Sequence, residues 1–401
     1  MRLTDLCLFI PPIESTKLFN NTPAIGLRIA SHYVTIFWLI GFSLIYFPPW
    51  LAERGFSDVE VGYILAAAFW AKVPFNLLLG HWVDATGARR RWIVLLSFIV
   101  ALGIPFLWFE LSLSLMILVW GITGAALAVS SPLTDNLSVL ARKTPGFDYG
   151  KVRLWGSWSF ILAALVGGQL FQAHGIEWVL YLMIGGAVLV LVSGVCLPDL
   201  RAPAGRFKRF ALWDVLRIPG YKMCIVIAAI LQSSHAVFYG FATIHWQMAG
   251  IDSATISLLW AEGVLAEILV FFFAAWFVKH LSVARLFCLA ALSGVVRWTG
   301  LSLSTELPVL IGLQLLHAGT FALTHLAVFE FISQRIPPQL TASAQTLYDI
   351  VNAAVVFALA MMLAGALYEY CGGQAFLAMT GFSLAAMLLL LIGTPKLLSD
   401  R

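Results

Sequence analysis

Stretches of about twenty predominantly apolar residues, the length a helix needs to cross a bilayer, recur from residue 27 to residue 395 of this chain. They fall at 27–50, 58–82, 91–109, 113–138, 153–172, 177–197, 221–248, 254–278, 283–303, 307–332, 342–368 and 374–395. A soluble domain carries roughly 25% charged residues; here 11% of 401 residues are charged and 61% are hydrophobic. Surface-to-volume scaling leaves a soluble chain of this length too little interior to hide that much apolar surface. The pattern predicts an all-α membrane protein with 12 transmembrane helices in two pseudo-symmetric six-helix bundles.

An even number of crossings puts both termini on one side, and the positive-inside rule says which side. Connections on the terminal side hold Arg89, Arg90, Arg91, Arg142, Lys143, Lys151, Arg153, Arg201, Arg206, Lys208, Arg209, Arg217, Lys222, Lys279, Arg285 and Arg335, whereas those on the other side hold Arg54. Both termini are therefore expected in the cytoplasm, and the chain in the inner (cytoplasmic) membrane. The longest polar connection, 198–220, contains the basic run Arg206-Phe207-Lys208-Arg209 and divides the spans six and six. The expected organisation is a cytoplasmic tail at 1–25, a first bundle at 26–197, a linker at 198–220, a second bundle at 221–396 and a tail at 397–401. Leu6–Ile10 is too short, and too soon interrupted by Pro11 and Pro12, to read as a signal peptide. Cys7, Cys196, Cys224, Cys288 and Cys371 stand singly, without the spacing of a disulfide framework or a zinc site. No basic run is interleaved with exposed aromatics, so no nucleic-acid partner is implied.

The second span ends Gly80-His-Trp-Val-Asp84-Ala-Thr-Gly87-Ala-Arg89-Arg90-Arg91. Gly80 allows close helix packing, Asp84 can accept hydrogen bonds or face a helix N-terminus, Gly87 permits a tight turn, and the arginines hold the loop inside. This run resembles the loop signature of the major facilitator superfamily, with Ala85 and Ala88 as departures and no second copy around Lys279 to Arg285. The residues Gly80, Asp84, Gly87 and Arg89, together with Asp349, are expected to serve gating and assembly. Further segments are similar to the 3-phenylpropionate permease group within the lactose-permease-like branch: Pro132-Leu-Thr-Asp135, Asp148-Tyr149-Gly150-Lys151-Val152-Arg153-Leu154-Trp155-Gly156-Ser157, His235-Ala-Val-Phe-Tyr239-Gly240-Phe241, Gly263-Val-Leu-Ala-Glu267, Gly294-Val-Val-Arg297-Trp298 and His317-Ala-Gly-Thr320-Phe321. The resemblance implies the major facilitator fold and proton-coupled uptake of an aromatic monocarboxylate. Its branch also includes nucleoside and sugar proton symporters.

Charged side chains at bilayer depth cost roughly 2.5–3.5 kcal/mol each on insertion scales, so each asks for a partner or a task. Lys72 and Arg297 are the cations inside predicted spans, one in each half, and either suits a carboxylate substrate. The alternative is that each neutralises a glutamate. Glu267 is the leading proton-coupling candidate, with Arg297 on the neighbouring span as a partner; a fixed Glu267–Arg297 pair that only joins two helices is the competing reading. Glu262 lies five residues away, about 140° around the helix, and is given the lesser part. Asp135 and Glu330 sit near span ends and are less diagnostic. Gln232, His235 and Tyr239 form one polar stripe, and His317, Thr320 and Thr324 another, with His325 nearby. His235, Tyr239 and His317 are therefore substrate-binding candidates, against plain inter-helical hydrogen bonding. Gln345, Asp349 and Asn352 form a third stripe. Tyr33, Phe37, Trp155, Tyr239 and Trp260 are the aromatics considered for a pocket.

Function is thus expected to be secondary active transport: proton symport of a small aromatic monocarboxylate such as 3-phenylpropionate. The rivals are a symporter for a neutral nucleoside or sugar, and an exporter of apolar drugs or metabolites. The chain lacks a His-Glu-x-x-His motif and a nucleophile elbow, so it is not expected to be an enzyme. No cofactor and no metal are expected, and the partners are protons, the small organic substrate and the lipid bilayer around a monomer.

Overall fold

A computed structural model describes residues 22–201 and 212–398. Most of the expected N-terminal tail, the basic run Arg206-Phe207-Lys208-Arg209 and residues 399–401 lie outside the described residues, as do the surroundings of Gly80 and the side chain of Asp84. Helix follows helix, the arrangement demanded where the bilayer offers the backbone no water. The first set comprises α1 (Thr22–Ile45), α2 (Phe47–Glu53), α3 (Asp58–Thr86), α4 (Arg89–Phe106), α5 (Leu113–Ala141), α6 (Tyr149–His174) and α7 (Trp178–Cys196). After the short α8 (Leu212–Leu216) come α9 (Tyr221–Ser233), α10 (Ala236–Met248), α11 (Ser253–Phe272), α12 (Ala274–His280) and α13 (Val283–Leu303). The chain then runs through α14 (Leu307–His317), α15 (Leu323–Arg335), α16 (Thr341–Asp349), α17 (Phe357–Cys371) and α18 (Phe376–Leu398). Among the described residues, 10 stretches are long and apolar enough to cross a membrane. One of them, Ser343–Gly393, covers two successive rods, and α4 falls short because its 18 residues open with three arginines. The rods are thus consistent with twelve crossings.

Local chemistry sets where the helices start. Ser57 caps α3 in a reciprocal box: its hydroxyl accepts the Glu60 N–H at 3.3 Å while the Glu60 carboxylate accepts the Ser57 N–H at 2.9 Å. The same helix ends on Gly87 at φ 64°, the left-handed conformation expected of that turn. Asp148 accepts the Lys151 N–H at 3.2 Å, so α6 starts at Tyr149 rather than at 153. This corrects the expected placement of Arg153: it lies one turn inside a helix, not in a connection.

Asp252 caps α11, accepting the Thr255 N–H at 3.0 Å and the Thr255 hydroxyl at 2.7 Å. Those two bonds, the hydroxyl first, hold its carboxyl below the usual carboxylate range. A lowered carboxyl stabilises the fold above the ordinary carboxylate range and loses that contribution as pH falls through its own value. Asp252→Ala is expected to cost about 1 kcal/mol, read as a lower thermal midpoint in detergent at neutral pH. The difference from the unchanged protein should shrink in acid.

Five predicted spans are not continuous α-helices, and two of them, 27–50 and 254–278, are interrupted at Tyr46 and Phe273. The span at 221–248 breaks at Ser234 and His235, where the His235 N–H donates to the Gln232 carbonyl three residues back. The spans at 307–332 and 342–368 carry π-helical turns at Ala318–Ala322 and Ile350–Val356. Each π turn directly follows a polar residue singled out from sequence, His317 and Asp349. Wide turns of this kind collect at functional sites because they re-aim side chains out of regular register.

The two sets meet chiefly through α3 on α17 and α6 on α11. At the end opposite the chain termini these pairs touch backbone to backbone. A Cβ on Gly62 would lie 3.0 Å from the Met361 carbonyl oxygen, and one on Gly365 would lie 2.5 Å from the Asp58 carbonyl oxygen. On the other pair, a Cβ on Gly168 would lie 2.6 Å from the Ser253 carbonyl oxygen. The Glu369 carboxylate accepts the Val59 N–H at 2.9 Å, and the Gln172 side-chain carbonyl accepts the Ala254 N–H at 3.3 Å. Small residues let membrane helices approach this closely.

Candidate functional site

A cavity of about 350 Å³ lies between the two sets. The first set contributes Phe37, Ile40, Leu44, Arg153, Ser157 and Phe160; the second contributes Phe238, Tyr239, Trp260, Gly263, Val264, Glu267, Phe271, Gln314, His317, Phe321 and His325. An apolar chamber of about 190 Å³ shares the walls Ile40, Leu44 and Tyr239 with it. A larger crevice of about 660 Å³, lined by Tyr63, Trp70, Gly121 and neighbours, is apolar and presents no ionisable side chain except that of Tyr63.

Arg153 supplies the cavity's positive charge. Its guanidinium stacks on Phe37 at 4.2 Å and on Tyr33 at 5.4 Å, and Nε lies 3.9 Å from the Asp135 carboxylate. Asp135 is itself held by the Tyr33 hydroxyl, which donates at 2.5 Å, and by the Tyr149 hydroxyl, at 3.0 Å. Asp135 lies near the end of α5, as expected, and from there it holds the arginine. Glu267 supplies the opposing charge, about a quarter exposed and within electrostatic reach of both Arg153 and His325.

From this wall a largely buried network runs back into the second set. The Arg297 guanidinium donates through Nη1 to His317 Nδ1 at 3.0 Å and to the Thr320 hydroxyl at 3.1 Å, and through Nη2 to the Gln314 carbonyl oxygen at 2.8 Å. It sits 4.3 Å from the Phe238 ring and 4.6 Å from that of Trp298. Such cation–π contacts are worth about 2 kcal/mol when desolvated. His317 Nε2 lies 3.6 Å from Glu267, so the anticipated direct Glu267–Arg297 pair is replaced by a chain with imidazole in the middle. His235 bridges the two polar stripes: Nδ1 meets the Gln232 carbonyl at 3.0 Å and Nε2 the Thr320 hydroxyl at 2.9 Å. Gln232 reaches His325 Nδ1 at 2.7 Å, and the Thr324 hydroxyl donates to the Thr320 carbonyl at 2.8 Å.

Of the residues selected from sequence, Glu267, Tyr239, His317, Phe37 and Trp260 line the cavity. His235 and Arg297 lie behind it at 0% exposure. Glu262 is half-buried and Trp155 is 57% exposed; neither lines it. Lys72 is not isolated: its Nζ pairs with Asp349 at 2.8 Å, and the Asn76 amide donates to the same carboxylate at 2.9 Å. That contact joins α3 to α16 across the two sets. Gln345 is exposed, and Asn352 meets the Tyr348 hydroxyl at 3.5 Å. Arg89 opens α4. Sequence reasoning missed Arg153. The signal was available in Asp148, whose capping role starts the helix early enough to carry Arg153 inside.

A helical bundle with a charged, aromatic-lined cavity between two sets of membrane helices defines a carrier. The chain belongs to the MFS_1 like family, whose model matches residues 27–378. It is 29% identical over 366 residues to the "Probable 3-phenylpropionic acid transporter" of Escherichia coli strain K12, covering 90% of this chain and 96% of that protein. It is 20% identical over 382 residues to the raffinose permease of Escherichia coli, covering 86% and 89% respectively. Its fold is similar to that of the nucleoside transporter NupG, with a TM-score of 0.77 at 16% identity, covering 94% of this chain and 100% of that one. The protein is a multi-pass membrane transporter of the major facilitator type, not an enzyme.

Proposed function

We propose that the protein takes up a small aromatic monocarboxylate, of the 3-phenylpropionate kind, together with a proton. The observation that carries this reading is one guanidinium, Arg153, facing one carboxylate, Glu267, across a cavity walled by Phe37, Phe160, Tyr239 and Trp260. A guanidinium suits a carboxylate, and the aromatic walls with the adjoining apolar chamber suit a ring. Hydrogen-bonding side chains such as Ser157, Gln314 and His325 also line the cavity, so it is the guanidinium and the adjoining apolar chamber that favour an aromatic acid over a neutral sugar. The name of the Escherichia coli relative points the same way.

Coupling follows from competition. Substrate carboxylate and ionised Glu267 seek the same donors, so the substrate anion binds when Glu267 carries a proton. The groups facing Glu267 are Arg153, His317, His325 and Tyr239. In the wider cycle the two helix sets rock about this site, the charge partition puts both termini in the cytoplasm, and the carrier works as a monomer in the inner membrane. The gating roles of Lys72–Asp349 and of the Gly80–Arg89 loop belong to the same proposal.

The test is Arg153→Gln assayed with an acid and its amide. The half-saturation concentration for 3-phenylpropionate should rise roughly ten- to a hundredfold, the value of a charged hydrogen bond, while that for the amide moves less than about threefold. Equal effects on both would remove Arg153 from the carboxylate site.

A further inference from the structure

The buried network contains a direction that the proposed cycle does not use. A guanidinium has five N–H donors and no acceptor. The contact between Arg297 Nη1 and His317 Nδ1, 3.0 Å, therefore requires Nδ1 to be the bare, accepting nitrogen. The proton of the neutral imidazole is then on Nε2, the nitrogen that faces Glu267 at 3.6 Å. We propose that Arg297 is a positioning residue that fixes His317 as an Nε2–H donor aimed into the cavity.

The surroundings hold Arg297 to this task. Gln314 takes its other amino group, and the Gln314 amide in turn donates to the Leu259 carbonyl at 3.0 Å, tying α14 to α11. Phe238 and Trp298 flank the guanidinium, and the Trp298 indole is pinned by the Ser234 hydroxyl at 3.0 Å. Arg297 is 0% exposed and absent from the cavity wall, so it acts on an anion through His317. The second histidine is oriented oppositely. A carbonyl only accepts, so His235 carries its proton on Nδ1 toward Gln232, and its Nε2 accepts from Thr320. Thr320 receives Arg297 on its oxygen, and its one hydroxyl proton is shared between His235 Nε2 and the His317 carbonyl at 3.1 Å. Arg297 thus orders the His317 ring, while the Gln232 carbonyl orders the His235 ring.

The consequence is a division of labour. His317 cannot take a second proton on Nδ1 without ejecting the Arg297 hydrogen bond beside a permanent positive charge. It therefore donates to whichever anion is present, ionised Glu267 or substrate carboxylate, and Glu267 is the group that gains and loses the coupled proton. This assignment rests on the transport reading of the cavity, but the orientation of the ring does not.

The test uses full-length protein with ¹⁵N-labelled histidine in lipid nanodiscs, the His317 signals being assigned by their loss in His317→Gln. The expected spectrum at neutral pH shows a protonated Nε2 and a bare Nδ1. Arg297→Leu should give a mixture of the two neutral forms, and Arg297→Lys, which keeps a donor, should restore the Nε2–H form. A protonated Nδ1 in the unchanged protein, or a ring indifferent to Arg297→Leu, overturns the proposal. Should Arg297→Leu not fold, His317→Gln and His317→Asn decide. The Gln amide nitrogen reaches the Nε2 position and should retain more of the substrate affinity than Asn does. Asn reaches only the Nδ1 position and should lose about tenfold or more. The reverse order overturns the proposal. Failure of the transport reading would appear instead as normal ring spectra with no binding of any aromatic acid.

Discussion

Glu267→Gln is expected to abolish uphill uptake while leaving exchange of labelled for unlabelled substrate across the membrane intact. A glutamine is permanently neutral, so it imitates the protonated, substrate-accepting state and can never release a proton. An acid anion moving with one proton is an electroneutral pair, so the driving force is the pH difference alone. About one pH unit is worth roughly 1.4 kcal/mol, which supports about tenfold accumulation. In Glu267→Gln that ratio should fall to about one. Exchange needs only reorientation of the loaded carrier and should continue. Normal accumulation in the variant would make Glu267 a structural partner of His317 and nothing more.

Gly365→Val should arrest the carrier with its far end open. The added Cβ meets backbone, the Asp58 carbonyl oxygen at 2.5 Å and the Gly62 Cα at 3.1 Å, and main chain cannot swing aside as a side chain can. Overpacking of this kind costs about 1–3 kcal/mol, roughly a five- to 150-fold shift away from the closed arrangement. Spin labels on the far ends of α3 and α17 should report a longer distance, and net uptake should fall by a similar factor. Substrate binding should survive, because the cavity residues lie elsewhere. An unchanged distance would show that α3 and α17 do not part there during the cycle.

The fold was legible because a bilayer imposes one length and one composition on every crossing; the windows read from sequence match the helical rods within a few residues. The polar stripes were legible too. Gln232–His235–Tyr239 and His317–Thr320–Thr324 were each grouped by offsets of three and four, and the fold brings the two groups together. Two things escaped. Arg153 was hidden because a hydropathy window discards a charged first turn, and only the Asp148 cap shows that the helix has already begun. The partners of Lys72 and Arg297 were hidden because they come from other rods. Asp349 lies 277 residues from Lys72, and the Phe238 ring that covers Arg297 belongs to a different rod. Spacing along one helix says which residues share a face, not what that face meets.

The most direct measurement is uptake into right-side-out vesicles of 3-phenylpropionate, its amide, a nucleoside and a disaccharide, each with and without an inward proton gradient. Accumulation of the acid alone, lost when the gradient is collapsed, is the result predicted. Gradient-driven accumulation of the nucleoside or the disaccharide, with none of the acid, would contradict it.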